Sequence, residues 1–159
     1  MSRSRTVIVI VALLLSSYTQ AGTKHPEIKK EIMAAFQSLV YASKTLDTKL
    51  YFQHFDLDKF VGLNSDGTNW NSIDDLAPLI HTGFDSIKEV ISLEFPNINI
   101  SVIDNYTAVL VNEYSQTVLL KDGSTVTFSG GGTQVWTKRS GKWKLVSVSA
   151  SHKPNISRP

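Results

Sequence analysis

The stretch Thr133-Gln134-Val135-Trp136-Thr137-Lys138-Arg139-Ser140-Gly141-Lys142-Trp143-Lys144-Leu145-Val146 sets two β-prone runs on either side of a Ser-Gly pair. Val, Thr and Trp suit a pleated, half-buried surface, and Ser140-Gly141 between them is a hairpin signal. The same grammar extends outward. Thr125 to Lys138 is joined to Tyr106 to Leu120 by Lys121-Asp122-Gly123, a second hairpin signal, and Trp143 to Ser151 closes the run. Lys88 to Phe95 and Asn99 to Ile103 are also strand-like, with Pro96 marking a bend or edge between them. The C-terminal half reads as a meander of long antiparallel strands. Gly130-Gly131-Gly132 falls within one of them. No Gly-Lys-Ser/Thr follows and no helix opens there, which excludes a phosphate loop. A bulge or sharp bend that curls the sheet is expected instead.

The N-terminal half has a different period. From Pro26, suited to a first helical position, Ile28, Ile32, Phe36, Leu39, Ser43 and Leu46 recur at three- and four-residue steps. Their stripe needs a surface to cover, most simply a sheet. Asp47 is placed to cap a short helix over Thr48 to Phe55. Lys59 to Leu63 reads as a strand that turns through Asn64-Ser65-Asp66-Gly67 and pairs back with Thr68 to Trp70. Ser72 with Asp75 resembles a capping arrangement for a third helix, reaching about Thr82, which Pro78 is expected to kink or split. Helices first and strands afterwards argue an α+β fold, with the helices on one face of a strongly curved antiparallel sheet.

The first residues have another purpose. Arg3 and Arg5, the apolar run Val7 to Leu15, and the Thr19-x-Ala21 spacing match a cleavable export signal. The apolar run is far shorter than the roughly 20 residues of a membrane span. The expected organisation is a signal at 1–21, one domain at 22–152 and a tail at 153–159. The expected destination is secreted or periplasmic, with no stable membrane anchor once the signal is cleaved. Without Arg3 and Arg5 the 16 basic residues fall to 14, against 14 acidic ones. Positive and negative side chains are interspersed, so nothing argues for a nucleic-acid partner. Cysteine is absent, which excludes disulfides and thiol chemistry.

The quoted hairpin resembles the last hairpin of nuclear transport factor 2-like, or SnoaL-like, domains, and the order of elements over about residues 25 to 152 is similar to theirs. The resemblance implies a cone with a pocket between the curved sheet and the long helix that packs on its concave face, often in a homodimer. It does not imply one reaction. The isomerases of this fold use a carboxylate base just after the first strand, where this chain has Asn64, with Asp66 two residues on. They place a buried acid on the penultimate strand, where this chain has Gly130 to Gly132. Tyr41 falls about where their tyrosine donor sits. The Asp-Arg-Asp set of the fold's epoxide hydrolases lacks an arginine, since only Arg139, in a turn, and Arg158, in the tail, follow the signal.

Alternation groups His152 with Val146, Val148 and Ala150 on the concave face, at the mouth of the cone, with a side chain suited to acid–base work. Tyr51, Trp70, Tyr114, Trp136 and Phe128 are candidate aromatic pocket walls, and Gln134 a polar anchor. His54 and His81 could form a three-histidine metal site with His152, but their spacing has no ligand motif. The leading expectation is therefore an exported pocket domain that binds a small, mostly apolar molecule without a cofactor or metal. The alternatives are an isomerase-, dehydratase- or cyclase-type enzyme using His152 with Tyr41 or Asp66, and a dimerising interaction module that uses the convex sheet face, where Ser147, Ser149 and Ser151 lie.

Overall fold

The computed structural model describes residues 21–153. The expected export signal and the tail beyond Lys153 lie outside the described residues. Helix α1 (Ala21–Lys44) is followed by α2 (Thr48–Phe52), strands β1 (Val61–Leu63) and β2 (Asn69–Trp70), and helix α3 (Ile73–Ser86). Five longer strands follow: β3 (Ile87–Glu94), β4 (Ile98–Asp104), β5 (Thr107–Leu120), β6 (Thr125–Thr137) and β7 (Lys144–His152). The fold is α+β, as expected. Among the described residues no helix is long and apolar enough to cross a membrane.

The stripe of α1 is where its spacing placed it: Ile28, Ile32, Phe36 and Leu39 are buried, with Ala42. The helix begins before Pro26, which sits inside it. It ends before Leu46, which adopts φ 55° rather than continuing the stripe. Asp47 N–H returns to the Ala42 carbonyl at 3.0 Å and Leu46 N–H to Ser43 at 3.3 Å. That is the double bond pattern of a left-handed helix stop, usually built on glycine. Asp47 then caps α2 by accepting from Leu50 N–H at 2.8 Å. Ser72 caps α3, accepting from Asp74 N–H at 3.1 Å, while Asp75 accepts from Asn71 N–H at 2.8 Å. Pro78 lies within α3, yet the helix stays continuous and runs on to Ser86.

The seven strands form one open sheet in the order β2-β1-β7-β6-β5-β3, with β4 also paired to β5. β3 and β4 share one edge of β5, end to end, and the chain bends at Pro96 between them. The sheet is mixed, not wholly antiparallel, because β1 runs parallel to β7. The chain leaves α2 tied alongside the start of β7: Phe55 bridges Leu145 in parallel, and Asp56 N–H donates to the Leu145 carbonyl at 2.8 Å. β1 continues in that direction.

Register assigns the faces. Ala108, Leu110, Asn112, Tyr114 and Gln116 of β5 stand opposite Trp136, Gln134, Gly132, Gly130 and Phe128 of β6. Leu145, Val148, Ala150 and His152 of β7 continue these rows. This inner face meets α1 in a core of Ile32, Phe36, Phe55, Phe60, Trp136 and Leu145. Val146 is not part of the inner face. The β6–β7 register slips between Val135 and Trp136, making Val146 the extra residue of a bulge.

The glycine triplet is not a bulge, the first of the two expected alternatives. The β5–β6 ladder runs through it without a slip. A Cβ on Gly130 would lie 1.8 Å from the Ser151 carbonyl oxygen and 2.8 Å from the Tyr114 hydroxyl, so glycine is there for close approach.

Candidate functional site

Tyr114, Gly130 and His152 form one cross-strand row on the inner face. Because Gly130 has no side chain, its two neighbours meet above it. The Tyr114 hydroxyl lies 3.0 Å from His152 Nδ1, and donates to it when that nitrogen is bare. A longer contact of 3.4 Å runs from the same hydroxyl to the Ser151 carbonyl. Burial raises the Tyr114 pKa, which keeps the phenol protonated and a donor. One position along, Phe128 sets its ring against the imidazole, centroids 6.3 Å apart and planes at 80°. Thr127, Phe128, Ser129, His152 and Lys153 line a cleft of about 380 Å³ there. That volume lies within the range of small-molecule sites, and an aromatic wall beside one polar pair is their usual chemistry.

The other expected site residues separate from this group. Tyr41 is 60% exposed on α1. Asp66 sits in the β1–β2 turn, where its Oδ1 accepts from the Thr68 hydroxyl at 2.6 Å and the Thr68 N–H at 2.9 Å. These bonds, the hydroxyl first, hold its carboxyl below the usual range, so it is a poor proton acceptor at neutral pH. His152 therefore pairs with neither Tyr41 nor Asp66. Trp136 is not a pocket wall: it is 0% exposed, and its Nε1 donates to Gln134 Oε1 at 3.0 Å. That bond engages the side-chain oxygen of Gln134, the expected polar anchor. Trp70 is buried, with Nε1 lacking a partner. Tyr51 packs between Phe52, Phe55 and Phe84, and burial pushes its phenol up to about 12. The cone's centre is thus filled by aromatic side chains, and its open end carries the polar pair.

His54 and His81 border α2 and do not join His152. Among the described residues no three His, Asp or Glu side chains converge as metal ligands do.

One cluster had no sequence signal. Glu31 of α1 accepts from Lys138 Nζ at 2.6 Å and from Trp143 Nε1 at 2.7 Å. Both bonds, Lys138 first, lower the Glu31 pKa. The partners lie more than 100 residues apart, beyond the reach of any local pattern.

A long helix laid on an open, curved, seven-stranded sheet is the architecture of the nuclear transport factor 2-like superfamily. Within it, the chain belongs to the SnoaL-like domain family, whose model matches residues 32–155. A nuclear transport factor 2-like superfamily protein from Salmonella enterica serovar Typhimurium LT2 is similar in structure, with TM-score 0.71 at 21% identity, over 84% of this chain and 98% of that one. A candidate dehydratase of the same superfamily from Streptomyces avermitilis has TM-score 0.71 at 13% identity, over 80% and 97% of the two chains. The association domain of C. elegans CaMKII has TM-score 0.66 at 21% identity, over 80% and 98%. At these identities the likeness is one of fold. A comparison with curated proteins finds no match.

Proposed function

We propose that this chain is an exported domain that binds a small, mostly apolar molecule carrying one polar group, at the cleft bordered by Phe128 and by His152, whose imidazole Tyr114 holds. The observation that carries this reading is a cleft of small-molecule size bordered by the Phe128 ring and by His152, whose imidazole lies 3.0 Å from the Tyr114 hydroxyl. The ring supplies apolar contact. The imidazole supplies one directional hydrogen bond, with its Nδ1 side already held by Tyr114. Export rests on the N-terminal pattern of Arg3, Arg5 and Val7 to Leu15. The fold, which commonly holds a ligand pocket, agrees with the binding reading.

The test is a titration of the ¹⁵N-labelled protein with 2-naphthol, an apolar bicycle with one hydroxyl. The expected result is saturable shifts centred on Phe128 to Gly130 and His152. Phe128→Ala should weaken binding about tenfold or more, the worth of one buried ring face, and His152→Ala should weaken it less. Shifts scattered over other surfaces, or a Phe128→Ala variant that binds as well as the parent, would sink the proposal.

A second observation supports pairing of two copies. Over Val61–Leu63, Val109–Glu113, Thr133–Val135 and Ser147–Ser151 the outward positions are Val, Leu, Ser and Thr, with Glu113 the one charge. Val61 and Val111 are about half exposed there. We infer that this weakly polar face seats a second copy, a reading that the association-domain neighbour supports. Sedimentation equilibrium should give a dimer, and Val111→Lys a monomer, because the seam would have to bury a long charged side chain. A monomeric parent, or a dimer unaffected by Val111→Lys, would refute it.

A further inference from the structure

The chain around α2 is tied to the base of the β6–β7 hairpin. Leu145 N–H donates to the His54 carbonyl at 2.7 Å, and Lys144 Nζ to the Gln53 carbonyl. The tie leaves a cleft on each side of α2. One, of about 670 Å³, is bordered by Glu31, Ser38, His54, Lys138, Lys142 and Trp143. The other, of about 450 Å³, is bordered by Lys49, Phe52, Phe55, Leu57 and His81. Gln53 and Lys144 line both, so the two spaces adjoin.

Their chemistry differs. The smaller holds the apolar side chains, Phe52, Phe55 and a 55% exposed Leu57, with Lys49 and Lys144 beside them. The larger is cationic. Among the described residues Glu31 is the only carboxylate lining either cleft, and it is already engaged by Lys138 and Trp143. No acid in the clefts offsets Lys142 or Lys144, although the domain as a whole is close to neutral. Lys144 is held by a neutral carbonyl. His54 adds an independent observation: its Nε2 is buried without a partner. Burial, and then the charge of Lys144, lower the His54 pKa, which favours the neutral ring.

We propose that the adjoining clefts form a second site, for a small amphiphilic anion, with its apolar body against Phe52 and Leu57 and its carboxylate at Lys142 and Lys144, beside His54. Anions without an apolar tail lose the first contact, and neutral amphiphiles lose the second. The site is separate from the Phe128–His152 cleft and does not depend on it.

Sodium octanoate, with 1-octanol as its neutral match, tests this on the ¹⁵N-labelled full chain. Octanoate should shift the amides of residues 49–57 and 142–144 and saturate, and octanol should bind about tenfold more weakly. Lys144→Met should weaken octanoate about tenfold and leave octanol unchanged. Lys144 also holds the Gln53 carbonyl, so Lys142→Met repeats the test without disturbing α2. Raised salt should weaken octanoate alone. Phe128→Ala should leave octanoate binding intact, which separates this site from the first. Equal binding of octanoate and octanol overturns the proposal, as does unchanged octanoate affinity in both lysine variants, or shifts confined to Phe128 and His152.

Discussion

Trp136→Ala is expected to cost about 3–5 kcal/mol of unfolding free energy, the range for truncating a large buried aromatic. Trp136 is the largest fully buried side chain and stands in the row Ala108–Trp136–Leu145, where the inner face meets α1. Truncation removes its apolar area and leaves a void that rigid neighbours on three strands and a helix cannot close. It also leaves the Gln134 oxygen without its donor, a further penalty for a partly buried acceptor. Trp136→Phe should cost less, because it keeps most of the volume and loses mainly the Nε1 bond. Urea unfolding followed by far-UV circular dichroism measures both. For a domain of this size the alanine variant should also lower Tm by about 10 °C or more. A loss below about 1 kcal/mol would mean that the core collapses around the gap and is not rigid as argued.

Gly130→Ala should be the next most damaging single change, although it adds only one methyl group. The new carbon would sit 1.8 Å from the Ser151 carbonyl oxygen, a backbone atom that cannot rotate away. β7 would have to separate from β6 near its end, and overpacking of this kind costs about 1–3 kcal/mol or more. The same methyl would lie 2.8 Å from the Tyr114 hydroxyl and push it from His152. The variant should therefore lose stability and 2-naphthol binding together. Gly131→Ala is the control, since its added carbon meets nothing closer than 3.4 Å. If both glycine variants were equally stable, close approach would not be the reason for glycine at position 130.

Much of this was legible beforehand because the signals are local. The α1 stripe, the Asp47 cap, and the turns at Gly67, Gly123 and Gly141, all with positive φ, can be read from a few neighbouring residues. Leu46 shows the limit: its side chain fits the apolar period, but its backbone makes the helix stop. Alternation placed His152 on the inner face correctly and misplaced Val146, because a one-residue bulge changes parity and leaves no mark in composition. The candidate site divided along the same line. His152, Tyr114 and Phe128 could be named from residue type, but only the pairing of β5, β6 and β7 shows that they meet, with Gly130 as the gap that allows it.

By itself the sequence determined the helix-then-meander order, the faces of most strands, the near-neutral domain and the absence of thiol chemistry, since periodicity and composition act over a few residues or over the whole chain. Tertiary structure alone decided the parallel β1–β7 pair, the filling of the cone by Trp136 and Phe36, the engagement of Glu31 by Lys138 and Trp143, and the cationic cleft beside α2. Each of these joins groups far apart in the chain. Such contacts are selected by the free energy of packing the whole core, so no short stretch of residues specifies them.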